Sequence, residues 1–568
     1  MSGFVLLVQR RGPCPPRMNA TLARLARHLS PDNITPNPPE IVVDGGLARL
    51  VLNPVESIQT TDHALLLGAL FEDADWSTRG TQAPDGAFAI ARHDADQVEL
   101  LTDVYGSRTI WYAHRDELFL ASTSQRALIA LLGDYEPCPE TAAWMTASGN
   151  LGPERGWDNR LARVTAATRL RLDRRTWTIA VDRGGFTYSP VTLPWKTHLA
   201  HMKEGIFAAC AAVHLGQARA ALALSGGCDS RSLLVGLARA GLPLTCLTWG
   251  LRASLTDPRS DASIARRLAK RFGQPHQYLP LDQGDRSVRD CFTLFLRSGE
   301  GRIEDYSGYT DGFDAWRHIF EEGISVVLRG DSPGWGVYLE PFNYSWTRCA
   351  HHHATLVEDY SEGDLIQTLE LARQHLPECF FPTEGETLDH YRDRLYNDYE
   401  LPTCMSAMND PKCVYAEVVN PLFARVLVST VAQLPDEVRH LRRGFERVAV
   451  SLVPDVPLAT HPADEPLDRY LARPTVRAEI LAELSSESAR RVFSAAALGT
   501  VIAAAERPAT TTSGRLRDAV KTRVPKGLVS ALGVRPRLHS EAPRLAYRMY
   551  IASRMEAIAR EDAAAMAN

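Results

Sequence analysis

The sequence predicts two domains and an extension. An N-terminal α+β sandwich spans residues 1–190. An α/β unit with a parallel sheet spans 195–475. A helical, partly basic C-terminal extension spans 476–568. Three observations carry this reading. The first 190 residues hold short apolar runs divided by Asp, Gly and charged turns. From about 195, strand-like and helix-like patterns alternate, which is the signature of βαβ units. At 568 residues the chain also exceeds what one hydrophobic core accommodates.

In the front part, "FVLLVQ", "EIVVDG", "LARLVLN", "GAFAIARHD", "QVELLTD", "TIWYAHRD" and "LFLASTS" read as strands, with helical patterns near 17–29 and 123–132. Strands in series with few helices predict a sandwich. After residue 195, "HLAHMKEGIFAACAAVHLG" is helix-periodic and "ARAALALS" is an apolar strand. "RSLLVGLARAG" is a helix ended by Gly241, and "LPLTCLTWG" is a strand. "DASIARRLAKRFG" is a helix ended by Gly273, and "HQYLPLD" and "ISVVLRGD" are strands. Beyond about 345 the pattern reads as largely helical, and no internal repeat is found.

Composition excludes several classes. A net charge of −5 implies no global attraction to nucleic acid or membranes. The ten cysteines form no CxxC pair, which predicts reduced thiols in a cytoplasmic protein. "MSGFVLLVQRR" reads as a first strand rather than a signal peptide, and no apolar run reaches the ~20 residues needed to span a bilayer. Residues 507–545 carry nine Lys or Arg against two acids. They read as a solvated basic surface, with a contact to an acidic partner as the alternative.

The stretch "ALALSGGCDSRSLL" (221–234) carries the chemistry. Open α/β sheets bind ligands beyond the carboxyl ends of their strands. Ser225, Gly226 and Gly227 fall there, and the following helix offers N–H groups and a dipole to an anion. Ser225 and Ser230 add hydroxyls. Asp229 would repel a phosphate unless a cation intervened, so the stretch predicts a Mg-pyrophosphate site. No Gly-Lys-Ser/Thr follows the glycines and the spacing is not Gly-x-Gly-x-x-Gly, which excludes a Walker loop and argues against a dinucleotide fold.

Ser-Gly-Gly-x-Asp-Ser after an apolar strand resembles the pyrophosphate loop of the ATP pyrophosphatases, and the wider pattern is similar to their asparagine synthetase B-like branch. "LTCLTWG", Asp261-Ala262 with His276, "EEGISVVLRGD" and "YAEVVNPLFARVLVSTVAQLP" (415–435) continue the resemblance, the last as a helical segment. In the front part, "DGAFAIARHD" and "LTDVYGSRTIWYAHRDELFLAS" look like strands of an amidotransferase-type domain. The resemblance implies an ATP-dependent amide-forming ligase that activates a carboxylate as its adenylate. Loop 225–230 would then hold pyrophosphate. Leu224, Thr248 and Gly250 would cradle adenosine, with Gly330 beside them. Asp229 and Asp331 would hold Mg²⁺.

Departures from the family bear on activity. Glutamine-using members start Met-Cys-Gly, whereas this chain starts Met1-Ser2-Gly3. A serine hydroxyl is a poor substitute for that thiol, and Cys14 lies in a Pro-rich stretch. The front part is therefore expected to lack glutaminase activity. That pattern is similar to β-lactam synthetases and lasso-peptide cyclases, where the substrate supplies the amine, and a lasso-peptide cyclase is the specific expectation. The second loop reads Gly330-Asp331-Ser332-Pro333-Gly334-Trp335-Gly336, where the family has an Asp-Glu pair. Ring-closing members use a Tyr–Glu pair to take the amine's proton. Glu417 holds the Glu position, and Tyr396 is taken as its partner with Tyr391 and Tyr399 left open. The family's late Lys has no clear match, and His461 is a weak substitute. His351–His353 read as a surface cluster, because neighbours on a helix point apart. Tyr306, Tyr309 and Asp311 are candidates for substrate contact, and Glu304 and Asp305 for helix caps. Expected partners are a small-molecule or peptide substrate and pathway partner proteins. An ammonia-using asparagine synthetase-like enzyme and a non-catalytic nucleotide- or peptide-binding relative are the alternatives.

Overall fold

A computed structural model describes residues 3–55, 57–282, 284–336, 346, 349–350, 354–360, 364–506 and 542–566. Met1, Ser2, His351–His353 and most of the basic stretch, 507–541, lie outside the described residues.

Among the described residues, twelve strands precede residue 184: β1 Gly3–Gln9, β2 Glu40–Asp44, β3 Leu47–Leu52, β4 Ile58–Thr60, β5 Ala64–Leu70, β6 Gly86–His93, β7 Gln97–Thr102, β8 Ile110–His114, β9 Leu118–Ser122, β10 Ala162–Val164, β11 Thr168–Asp173 and β12 Thr178–Arg183. They form two antiparallel six-stranded sheets, ordered β10-β8-β9-β1-β3-β2 and β12-β11-β7-β6-β5-β4. Phe4, Leu6 and Val8 of β1 meet Leu65, Leu67, Leu100 and Leu172 between the sheets. Val5 and Leu7 point the other way, onto the helices Met18–Leu29 and Gln125–Leu132. Both faces of β1 are covered, which explains its unbroken apolar run.

The later sheet is parallel and ordered β15-β14-β13-β16-β17. Its strands are β13 Ala220–Ala223, β14 Thr245–Gly250, β15 His276–Pro280, β16 Val326–Leu328 and β17 Glu417–Val419. One face packs Leu222 and Cys246 against Met202, Ile206, Leu233 and Leu237. The other packs Ala221, Leu247 and Val327 against Phe292, Phe295 and Trp316. The strand order reverses between β13 and β16, so the crevice for a ligand opens beyond their carboxyl ends.

Two segments depart from the sequence reading. Residues 415–435 hold a strand first: Glu417–Val419 completes the sheet, and only Arg425–Ala432 is α-helical. Pro421 disfavours a helical Asn420, and Val418-Val419 suits a strand. Among described residues, 354–387 form short 3₁₀ turns rather than helices. The last helix, Ala542–Ala565, is woven into the fold. Its Asp562 accepts two hydrogen bonds from buried Arg126 (2.8 and 2.9 Å), and its Arg548 reaches Glu304 at 2.7 Å. No helix of the described residues is long and apolar enough to cross a membrane.

Candidate active site

Beyond Ala223 the chain keeps its pairing for one more residue, Leu224 N–H donating to the Leu247 carbonyl at 2.8 Å, and then turns. The turn is held by side chains. Ser225 N–H donates to Ser230 Oγ (3.0 Å), Gly226 N–H to Asp261 Oδ1 (2.9 Å) and Gly227 N–H to Ser225 Oγ (3.2 Å). The loop N–H groups are thus used to shape the turn. The helix Cys228–Arg239 that follows has no side-chain cap, so its first-turn N–H groups remain for an anion. Only glycine fits at 226, where a Cβ would stand 2.4 Å from the Ala459 Cβ.

A cavity of about 310 Å³ opens in front of this turn. Leu224, Ser225, Gly227, Asp229, Ser230, Thr248 and Gly330 of the sequence-derived set line it. Thr248 Oγ1 donates to the Leu224 carbonyl (2.6 Å) and accepts from His276 Nε2 (2.9 Å), which joins β13, β14 and β15. Gly226 lies behind the turn, and Gly250 is covered by Ala463, whose carbonyl would stand 2.5 Å from a Cβ there. Asp261, Asp305 and Asp464 add acids to the lining, and Arg329 and Lys412 add cations. Burial raises the carboxyls of Asp261 and Asp464. The Gly226 N–H counteracts this at Asp261, and neighbouring Asp305 adds to it at Asp464.

The proposed metal ligands are arranged differently from the sequence reading. Arg442 spans both oxygens of Asp229 at 3.0 and 2.8 Å, and Arg329 Nε donates to Asp331 at 3.0 Å. Each carboxylate is neutralised by a guanidinium. Among the described residues no group of three or more His, Cys, Asp or Glu could hold a metal. A Mg²⁺ held by Asp229 and Asp331 does not fit this arrangement, since the dication would stand against both arginines. The second glycine loop is likewise packed rather than open. A Cβ at Gly334 would meet Asn397 at 2.6 Å, Gly336 lies against Arg439, and Trp335 stacks on Phe445 at 3.8 Å.

Glu417 is not brought to the cavity. It opens β17 opposite Val326, at the amino end of the sheet, fully buried and 3.3 Å from Arg108. Burial raises its carboxyl and Arg108 opposes the rise. The tyrosines separate clearly. Tyr391 Oη donates to the Phe380 carbonyl (2.8 Å) and Tyr399 Oη to Asn150 (3.2 Å), both within a separate core cluster. Tyr396 opens a π-helical stretch, Tyr396–Met405, and lies within the electrostatic reach of Asp331, Asp229 and Arg442. Burial and the two carboxylates push its phenol well above the usual range, so it remains a hydrogen-bond donor.

Other candidates divide in the same way. Tyr309 lines the cavity, its hydroxyl donating to the Met408 carbonyl at 3.1 Å. Tyr306 is sealed among Phe292, Phe295 and Tyr470. Asp311 accepts from the N–H groups of Phe313 (3.0 Å) and Ala315 (2.7 Å), where the helix Asp314–Glu321 begins. Asp305 accepts from the Ser307 N–H (3.2 Å) and hydroxyl (2.7 Å), whereas Glu304 is an ion-pair acceptor for the last helix rather than a cap. His461 pairs with Asp257 at 2.5 Å, away from the cavity lining. Cys14 is buried, and its thiol is raised by burial.

Arg442, Arg329 and Lys412 escaped the sequence reading. With 63 Lys and Arg in the chain, one more cation in a turn or helix is no signal. What aims Arg442 is backbone: Leu441 (φ 51°) and Arg442 (φ 62°) are both left-handed, a strained pair for non-glycine residues.

Residues 206–333 match the asparagine synthase family model. That match covers β13 to the second loop and supports ATP-dependent amidation in general. No curated protein matches the chain. Among solved structures, one similar chain is glutamine phosphoribosylpyrophosphate amidotransferase from B. subtilis complexed with ADP and GMP. It shares 9% identity over 50% of this chain and 82% of that chain, with a TM-score of 0.21. Another, described as the allosteric regulatory enzyme of purine biosynthesis, shares 10% identity over 50% and 81%, also with a TM-score of 0.21. Likeness at that level carries no weight for this chain's activity.

Proposed function

We propose that the chain is an ATP-dependent amide-forming ligase that activates a carboxylate as its adenylate for attack by an amine. The observation that carries the reading is the Ser225–Ser230 turn. It lies at the carboxyl end of β13, at an uncapped helix N-terminus, and opens on a cavity lined by both phosphate-seeking and acidic groups. The triphosphate would face the first-turn N–H groups, with Arg442 the nearby cation for departing pyrophosphate. Adenosine would lie along Leu224 and Thr248. The front part's cysteines, Cys14 and Cys138, are buried, which supports an amine brought by the substrate or as free ammonia rather than released from glutamine. Ring closure of a peptide, as in lasso-peptide cyclases, is the finer form of this reading.

A second reading is a nucleotide- or peptide-binding relative without turnover. The guanidinium on each proposed metal ligand favours it. The test is to incubate the protein with ATP and magnesium, adding aspartate plus ammonium or peptides from an extract of the producing cell, with Asp229→Ala as control. AMP and pyrophosphate that require both added substrate and Asp229 support the ligase. ATP binding without AMP in any mixture supports the binder.

A further inference from the structure

We propose that Lys412 is the proton acceptor for the attacking amine, a role that rests on the ligase reading above. Lys412 lies on the helix Ser406–Cys413 and is 6% exposed, yet it lines the cavity beside Tyr309, Met408 and Pro411. Its ammonium makes a long hydrogen bond to Asn409 Oδ1, at 3.4 Å, so the amine has capacity left for a ligand.

The choice of residue type is informative. The chain has six lysines among its 63 Lys and Arg. Arg92, Arg126, Arg231, Arg392 and Arg439 fill buried cation positions, and Lys412 is the one buried lysine among the described residues. A guanidinium cannot give up its proton in a protein, whereas an ammonium can. The groups facing Lys412 are Arg329 and Asp331 from the segment after β16, Asp305 from the segment before Tyr306, and Cys413 on its own helix. Burial and Arg329 disfavour the ammonium, the two carboxylates favour it, and the balance lowers the amine to about 7. The groups that the family pattern nominates are not available: Glu417 is sealed at the far end of the sheet, and Tyr396 is held protonated.

The step balances without another reagent. The amine nitrogen bonds to the acyl carbon. The bond from that carbon to the AMP oxygen breaks, and AMP leaves with the electron pair. The proton released from the nitrogen passes to Lys412 Nζ, which later returns it to water.

Two measurements test this. Trace acetylation of the full chain with acetic anhydride, read by peptide mass spectrometry, needs no substrate. We expect Lys412 to acetylate with a midpoint near pH 7, against about 10.4 for an ordinary lysine. No acetylation, or a midpoint near 10 as in an ordinary lysine, overturns the proposal. The second uses whichever acid drives AMP formation in the assay above. Lys412→Met and Lys412→Arg should each keep ATP–pyrophosphate exchange within about twofold and lose amide formation with ammonium by about 10²- to 10⁴-fold. Hydroxylamine, which attacks largely unprotonated near neutral pH, should restore product in Lys412→Met. An active Lys412→Arg, or loss of exchange and amide formation together, overturns the base role. A wild-type protein that makes no AMP overturns the ligase reading and the base role with it, even where acetylation shows a poised lysine.

Discussion

At the amino end of the parallel sheet, Glu417 and Arg108 face each other at 3.3 Å with 0% and 5% exposure. At the carboxyl end, Arg442 spans Asp229 at 2.8 and 3.0 Å, each about a quarter exposed, beside a cavity of about 310 Å³. The two pairs join the same kinds of groups. The first sits where no ligand can reach it and ties the front sandwich to the sheet. The second sits where an incoming phosphate can compete for the arginine. Position relative to strand polarity, not residue type, separates structural charge from chemical charge here.

Glu417→Ala should remove a buried carboxylate from beside Arg108 and cost about 3–5 kcal/mol in urea unfolding, with nucleotide affinity of the folded fraction unchanged. A stable variant that had lost turnover would reverse the roles of the two ends. Glu300 offers a buried carboxylate held mainly by neutral donors, the Ser124 hydroxyl and the Gln125 N–H, with burial raising it to about 7. Its folded value lies above its unfolded one. Its stabilisation is therefore complete below the unfolded value, near pH 4.5, and is lost as pH rises through about 7. Wild type should lose about 3 kcal/mol relative to Glu300→Gln across that window, measured by urea midpoints at its two ends. A flat difference would mean that Glu300 keeps one protonation state across that window.

Gly226→Ala should push the turn off Ala459 and Ile264, costing about 1–3 kcal/mol and at least tenfold in ATP affinity by calorimetry. Loss of stability with ATP affinity intact would remove the turn from the site. Asp229→Ala should have the smallest effect on folding, within about 1 kcal/mol because the pair is partly exposed, yet abolish AMP formation. A large destabilisation there would make the Asp229–Arg442 pair structural, like its counterpart at the other end.

The turn at 225–230 was legible because it is local. An apolar strand, two glycines and a helix start occur within about ten residues, and period and residue type alone place them. The same holds for β14, ended by Gly250, for the helix from Asp261, ended by Gly273, and for the short run of β15. Three-residue strands such as β10 and β17 are too short to show a period, so 415–435 reads as helical and Glu417 as half of a Tyr–Glu pair. Tyr391, Tyr396 and Tyr399 are equivalent as text. Tyr391 and Tyr399 fall in one core cluster and Tyr396, which opens the stretch to Met405, does not, and no sequence pattern announces a π-helix.

The α+β front part, the alternating strands and helices after residue 195, and a phosphate-sized turn at Ser225–Ser230 are all legible in the residues themselves. Those are consequences of near-neighbour sterics and apolar periodicity. The folded chain sets which charges share the cavity. Arg442 reaches Asp229 across 213 positions, and Arg329 and Lys412 converge from different elements. It also decided that Glu417 faces Arg108 at the opposite end of the sheet. Electrostatics and burial act through space, and the distance between two residues along a chain does not set the distance between their charges once the sheet has closed.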